Sequence, residues 1–68
     1  MQIKLNGEPR VVSNHCTAAE LVALLDLTGK RLAMEVNREI VPRSAYATHR
    51  LREGDEVEIV HAIGGGSR

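Results

Sequence analysis

The sequence predicts an α+β fold, a small mixed sheet of four to five strands with one main helix packed across one face. Three observations carry this. Apolar and polar residues alternate near the start, in the middle and near the end of the chain, the period of strands with one buried face. A helix-start signal, Thr17-Ala18-Ala19-Glu20, interrupts that alternation and is followed by leucines at helical spacing. The resulting order is strand, strand, helix, two strands, a short turn, strand. A helix after a hairpin must cross the sheet, and the right-handed rule sets the last strand parallel beside the first. The face opposite the helix is then covered by no element of the chain.

In order, Ile3 and Leu5 alternate with Gln2 and Lys4, Asn6-Gly7-Glu8-Pro9 breaks the run, and Arg10 to Ser13 resumes extended character. In the capping box, the Thr17 hydroxyl accepts from the Glu20 amide while the Glu20 carboxylate returns to the Thr17 amide. Leu21, Leu24 and Leu25 share one face of a helix of about ten residues, with Gly29 as its stop. Leu32, Met34 and Val36 alternate with Ala33, Glu35 and Asn37; Asn37-Arg38 makes a tight turn, and Glu39-Ile40-Val41 is a short strand ended by Pro42. Ser44 caps one helical turn, in which Tyr46 is the large ring to pack. After the Glu53-Gly54-Asp55 turn, Val57, Ile59, His61 and Ile63 fall on one face of the last strand, with Glu58, Val60 and Ala62 on the other. The expected core is Ile3, Leu5, Leu21, Leu25, Met34, Val36, Ile40, Val57 and Ile59.

Sixty-eight residues make one small domain, which buries about 60% of its unfolded surface and has no room for a deep substrate pocket. Nine basic residues balance nine acidic ones, and Tyr46 is the sole aromatic, so neither a basic stripe nor a stacking platform for nucleic acid is present. The single cysteine excludes an internal disulfide, and no Cys/His set has zinc spacing. With no leader at the start and no apolar run of about 18 residues, the reading is a cytoplasmic, soluble monomer away from membranes.

Cys16 precedes the Thr17 cap, where an apolar side chain packs on Leu21 as a hydrophobic staple; that reading outweighs a sulfur-relay nucleophile. His61 lacks a second ligand and is a packed or rim residue. Glu53, Asp55, Glu56 and Glu58 form a solvated acidic edge in preference to a metal site, since they flank a turn and then alternate faces. Arg43, Arg50 and Arg52 fit partner contacts and ordinary surface charge equally well. Val60 and Ala62 face away from the core just before the tail, and apolar side chains there point to a partner that covers them.

Gly64-Gly65-Gly66 buries nothing and is costly to order, by about 0.5–1 kcal/mol per residue relative to alanine. A frayed terminus or an expression scar is one explanation. The other is a thin lead, free of Cβ atoms, that threads a narrow channel and presents a carboxylate to an activating enzyme. Residues 1–63 are accordingly the domain, and 64–68 a flexible tail.

The chain resembles the ubiquitin-like β-grasp proteins and, among them, the ThiS family of sulfur carriers of thiamine biosynthesis. The resemblance rests on Met1 to Glu8, Thr17 to Leu21, Ala33 to Arg43 and Leu51 to Val60, followed by Ile63-Gly64-Gly65-Gly66. The Asn-x-x-Ile-Val-Pro-Arg run together with Gly-Asp-x-Val and a near-terminal Gly-Gly is specific. Members of the family end at the glycine pair, whereas Ser67 and Arg68 follow it here.

The resemblance implies a protein substrate with no bound cofactor of its own. An adenylating enzyme of the ubiquitin-activating type (ThiF-like) would use ATP and magnesium on the carboxylate of Gly66, with Gly64 and Gly65 entering its cleft. A sulfur donor fed by a cysteine desulfurase would make the thiocarboxylate, and thiazole synthase (ThiG-like) would take the sulfur. Two alternatives stay open: a sulfur carrier for molybdopterin, thionucleoside or amino-acid synthesis, and a non-catalytic β-grasp binding module.

Overall fold

Thr17 opens the helix as the sequence predicts. Its hydroxyl accepts from the Glu20 amide at 3.1 Å and its amide donates to Glu20 Oε1 at 2.9 Å. In the computed structural model, which describes residues 1–61, the elements are β1 (Gln2–Leu5), β2 (Glu8–Val11), α1 (Ala18–Leu24), β3 (Leu32–Val36), β4 (Glu39–Val41), a 3-10 turn (Arg43–Ala45) and β5 (Glu56–His61). The expectations for Ala62, Ile63, Gly64, Gly65 and Gly66 lie outside the described residues. The strands form one sheet in the order β2-β1-β5-β3-β4, with β1 and β5 parallel and the other pairs antiparallel. This is the mixed sheet with one helix expected of a β-grasp domain.

Two details of the first hairpin differ from expectation. The turn is only two residues, Asn6 at φ +50° and Gly7 at φ +86°, so β2 begins at Glu8 and contains Pro9. Positive φ at both positions matches the twist of the flanking strands. Pro9 is tolerated because β2 is an edge strand: opposite Lys4 its nitrogen points away from β1, where no ladder bond is missed. The second hairpin repeats the device with Asn37 at φ +52° and Arg38 at φ +70°.

That second turn overturns one expected core residue. A two-residue turn pairs Val36 with Glu39 and Met34 with Val41, so Val41 faces the core and Ile40, beside Glu35, is 75% exposed on the open face.

The helix is also shorter than expected. Its seven residues end at a Leu25 cap, and Asp26 adopts φ +60°. The Asp26 amide donates to Ala23 O and the Leu27 amide to Val22 O, each at 3.0 Å, which is a Schellman closure with aspartate in the left-handed position that glycine normally fills. Gly29, the expected stop, shapes the following turn at φ +82° instead. At about 100° per residue, Ala18 and Leu25 fall between Leu21 and Val22, so the apolar stripe is centred there and Leu24 lies off its edge. Leu24 is accordingly 61% exposed and Val22 is buried, while Leu25 and Leu5, both expected in the core, are only half-buried.

The core consists of Ile3, Leu21, Met34, Val36, Val57 and Ile59 from the predicted set, joined by Val12, Cys16, Ala18, Val22, Val41, Tyr46 and Leu51. No side chain caps the 3-10 turn; Pro42 precedes it and Ser44 lies exposed within it. The segment after this turn closes the helix N-terminus: the Ala18 amide donates to His49 O, the Ala19 amide to Tyr46 O, and the Leu51 amide to Cys16 O.

Candidate functional site

β5 lies at the centre of the sheet, and its last residue, His61, is where the chain passes toward the glycines. Both hairpin turns hold this strand. Asn6 accepts from the Ile59 amide through Oδ1 at 2.9 Å and donates from Nδ2 to Ile59 O at 3.3 Å, beyond the two parallel pairs Lys4–Glu56 and Leu5–Val57. Asn37 accepts from the Glu56 amide at 3.0 Å and donates to Asp55 Oδ1 at 3.0 Å. The sequence signals a break at Asn6 and a tight turn at Asn37, but the side-chain reach across to β5 carries no sequence signal of its own.

Register assigns the faces of β5. Val57 and Ile59 are buried against the helix side, whereas Glu56, Glu58 and Val60 share the open face with Lys4, Ala33, Glu35 and Ile40. Val60 is 71% exposed and pairs with Ala33; Glu58 pairs with Glu35, and Ile40 stands beside Glu35 on β4. Val60, Ala33 and Ile40 therefore form an apolar patch on the side of the sheet nearest the chain exit. Ala62 lies outside the described residues, and beside Val60 the apolar neighbours on this face are Ala33 and Ile40, the latter expected in the core.

The remaining candidates take structural places. Cys16 is 1% exposed beneath the start of the helix, as a staple requires. Burial, with the nearby Glu20 carboxylate adding to it, pushes its thiol pKa up, so at neutral pH it is held in the protonated form, which is not a nucleophile. His61 is on the core-facing phase, paired with Leu32, and its Nδ1 is buried without a hydrogen-bond partner among the described residues. Asp55 accepts from the Arg52 amide at 2.8 Å and Glu53 from the Gln2 amide at 2.9 Å, so these carboxylates brace turns. Among the described residues no group of three His, Cys, Asp or Glu side chains is placed to hold a metal ion, and no helix is long and apolar enough to cross a membrane. Arg43 donates to Lys30 O at 2.8 Å, while Arg50 and Arg52 stay exposed on the surface.

Comparison with known proteins places this arrangement. The ThiS family model matches residues 3–66. The sulfur carrier protein ThiS of Escherichia coli is 33% identical over 66 residues, covering 97% of this chain and all of that protein. A thiazole synthase of Paramagnetospirillum magneticum is 43% identical over 67 residues, or 98% of this chain. The chain spans about a fifth of the length of the thiazole synthases it matches. The crystal structure of the thiamine biosynthesis protein ThiS from Geobacter metallireducens superposes with a TM-score of 0.81 at 29% identity, covering 97% of this chain and 100% of that one.

Proposed function

The chain belongs to the ThiS family, and from that membership we propose that it is a sulfur carrier of thiamine biosynthesis whose Gly66 is adenylated and then converted to a thiocarboxylate. The observation that carries this reading is the family match itself, which runs through the whole domain and ends on Gly66, five residues beyond the central strand.

A carboxylate resists nucleophiles because its charge is delocalised. Attack of one Gly66 carboxylate oxygen on the α-phosphate of ATP would release pyrophosphate and leave a mixed anhydride with a good leaving group. A hydrosulfide sulfur then adds to that carbonyl carbon, the carbon–oxygen bond to AMP breaks, AMP departs with the original oxygen, and loss of the sulfur-bound proton leaves the thiocarboxylate; a persulfide donor would instead give an acyl disulfide, whose sulfur–sulfur bond a thiol reductant must then cleave. The domain supplies the carbonyl and a grip for the partner; the ThiF-like partner supplies magnesium, ATP and stabilisation of the oxyanion. Gly64 and Gly65 give a lead without Cβ atoms into the partner's cleft. The docking surface comprises Val60 on the open face of the sheet together with Ala62. Thiazole synthase is the acceptor of the sulfur, a role favoured by relatives in which a stretch similar to this chain forms about a fifth of a thiazole synthase.

Ser67 and Arg68 follow Gly66 here, so in this sequence the Gly66 carbonyl is an amide and lacks the oxygen that attacks ATP. A chain ending at Gly66, incubated with the adenylating enzyme, ATP and sulfide, gains about 16 Da as oxygen is exchanged for sulfur, whereas the 68-residue chain stays unchanged. Gly65→Val blocks the gain, because a β-branched side chain restricts the backbone and adds bulk in the channel. A Gly66-terminated chain that never acquires sulfur refutes the carrier function, and thiocarboxylation of the 68-residue chain at Arg68 refutes the assignment to Gly66.

A further inference from the structure

On the helix side of the sheet, near the end of β5, an apolar groove is left open. Val22 of α1, Leu27 of the loop after it, Leu32 of β3 and Tyr46 beyond the 3-10 turn line it, with Lys30 and Arg43 beside them. The segments that carry these walls are tied to one another: Arg43 donates to Lys30 O at 2.8 Å, and the Lys30 amide donates to Leu27 O at 3.0 Å. The groove is therefore formed before anything enters it. Val22 and Tyr46 are buried, whereas Leu27 and Leu32 pack against the core and stay only half-buried, so apolar surface remains for an occupant to cover. Its volume of about 320 Å³ admits one branched aliphatic side chain.

A second observation marks the same place. His61 is paired with Leu32, which lines the groove, and its Nδ1 is shut off from water with no hydrogen-bond partner among the described residues. A buried acceptor left without a donor costs stability, and a segment packed beside it can bring a backbone amide.

Register and phase select the segment. Val57 and Ile59 are buried on the helix side and His61 shares their phase; two residues further along the strand, position 63 has it too, whereas position 62 has the phase of the open face. Continued antiparallel past the His61 and Leu32 pair, the chain brings position 63 level with Lys30 and diagonal to Leu32, both of which line the groove. That residue is Ile63, the last apolar side chain of the sequence, followed only by glycines, Ser67 and Arg68. A side chain two residues from the groove's own strand pair meets it at an effective concentration in the millimolar range, ahead of any separate molecule. We infer that the groove between Leu27, Leu32 and Tyr46 is the seat of Ile63 of the same chain, and that the seated segment supplies the donor that His61 Nδ1 lacks. With Ile63 held, three glycines leave the domain and span about 10 Å, so the domain fixes where the tail starts and how far it reaches. The inference concerns the free chain and stands apart from the carrier function.

The test uses the 68-residue chain labelled at its isoleucine methyls. Nuclear Overhauser contacts are expected from the Ile63 methyls to Leu27, Leu32 and the Tyr46 ring, and they persist when labelled chain is diluted into unlabelled chain. Ile63→Ala lowers the urea midpoint by about 0.5–1 M, and combining it with Leu27→Ala costs less than the two separate losses together, because both remove the same contact. Ile63 methyls without contacts to the groove overturn the inference, as do an unchanged midpoint for Ile63→Ala and strictly additive losses. Contacts found only between labelled and unlabelled chains overturn it as well, and assign the groove to a second copy.

Discussion

Replacing Asn6 tests how the turn holds the strand that leads to the tail. Its side chain makes two hydrogen bonds to the Ile59 peptide and its backbone sits at φ +50°. Asn6→Ala removes both bonds, worth about 0.5–1.5 kcal/mol each, and forces alanine into the left-handed region at about 1–2 kcal/mol more, for a total of about 2–5 kcal/mol. A 68-residue domain has roughly 3–10 kcal/mol in all, so the variant is expected to lose much of its stability. Asn6→Gly separates the two contributions, since glycine accepts the backbone angle and loses only the bonds, at about 1–3 kcal/mol. Urea unfolding measures both variants, and amide hydrogen exchange at Ile59 reports the local consequence, faster exchange at the end of β5. If Asn6→Gly stays within about 0.5 kcal/mol of the parent, or if Ile59 exchange is unaltered, the side-chain bridge is not what holds β5 to β1.

Three other outcomes follow from the structure. Asp26→Gly relieves the left-handed aspartate of the helix closure and raises stability by about 0.5–1 kcal/mol in thermal or urea unfolding. Val60→Asp leaves folding nearly intact, because the new charge stays in water on the open face, and weakens binding to the adenylating enzyme at least tenfold, because the interface would bury that charge without a partner. Cys16 reacts slowly with iodoacetamide in the native protein at neutral pH, since burial and Glu20 hold the thiol protonated; the rate rises on unfolding, where the pKa falls back and the thiolate becomes available.

The order of elements, the crossover and the faces of β1, β3 and β5 were legible because they depend on periodicity, which is local. Thr17 and Glu20 announced their own cap, and Cys16 its staple, through fixed spacing. Ile40 was misread for want of one number, the length of the turn before it: an apolar residue in a three-residue strand has no period to vote with, and register alone decides its face. The helix end was misplaced because glycine is the strongest stop signal, yet Asp26 accepts the left-handed angle and Leu27 packs behind it. At the site, the alternation along β5 predicted the phase of Val60. Ala33, Glu35 and Ile40 come onto that patch from other strands, and cross-strand neighbours appear only with the register.

The central place of β5 has a consequence for how the molecule is made. Without residues 56–61 the sheet divides into two hairpins, β1–β2 and β3–β4, with no strand between them, and a lone two-stranded hairpin is marginal in water. The first strand must wait for β5, closing a loop of about fifty residues between Leu5 and Val57, so a nascent chain gains this sheet only once residues 56–61 have been made. Translation errors and proteolytic nicks that remove β5 therefore produce unfolded fragments instead of a shortened but folded domain.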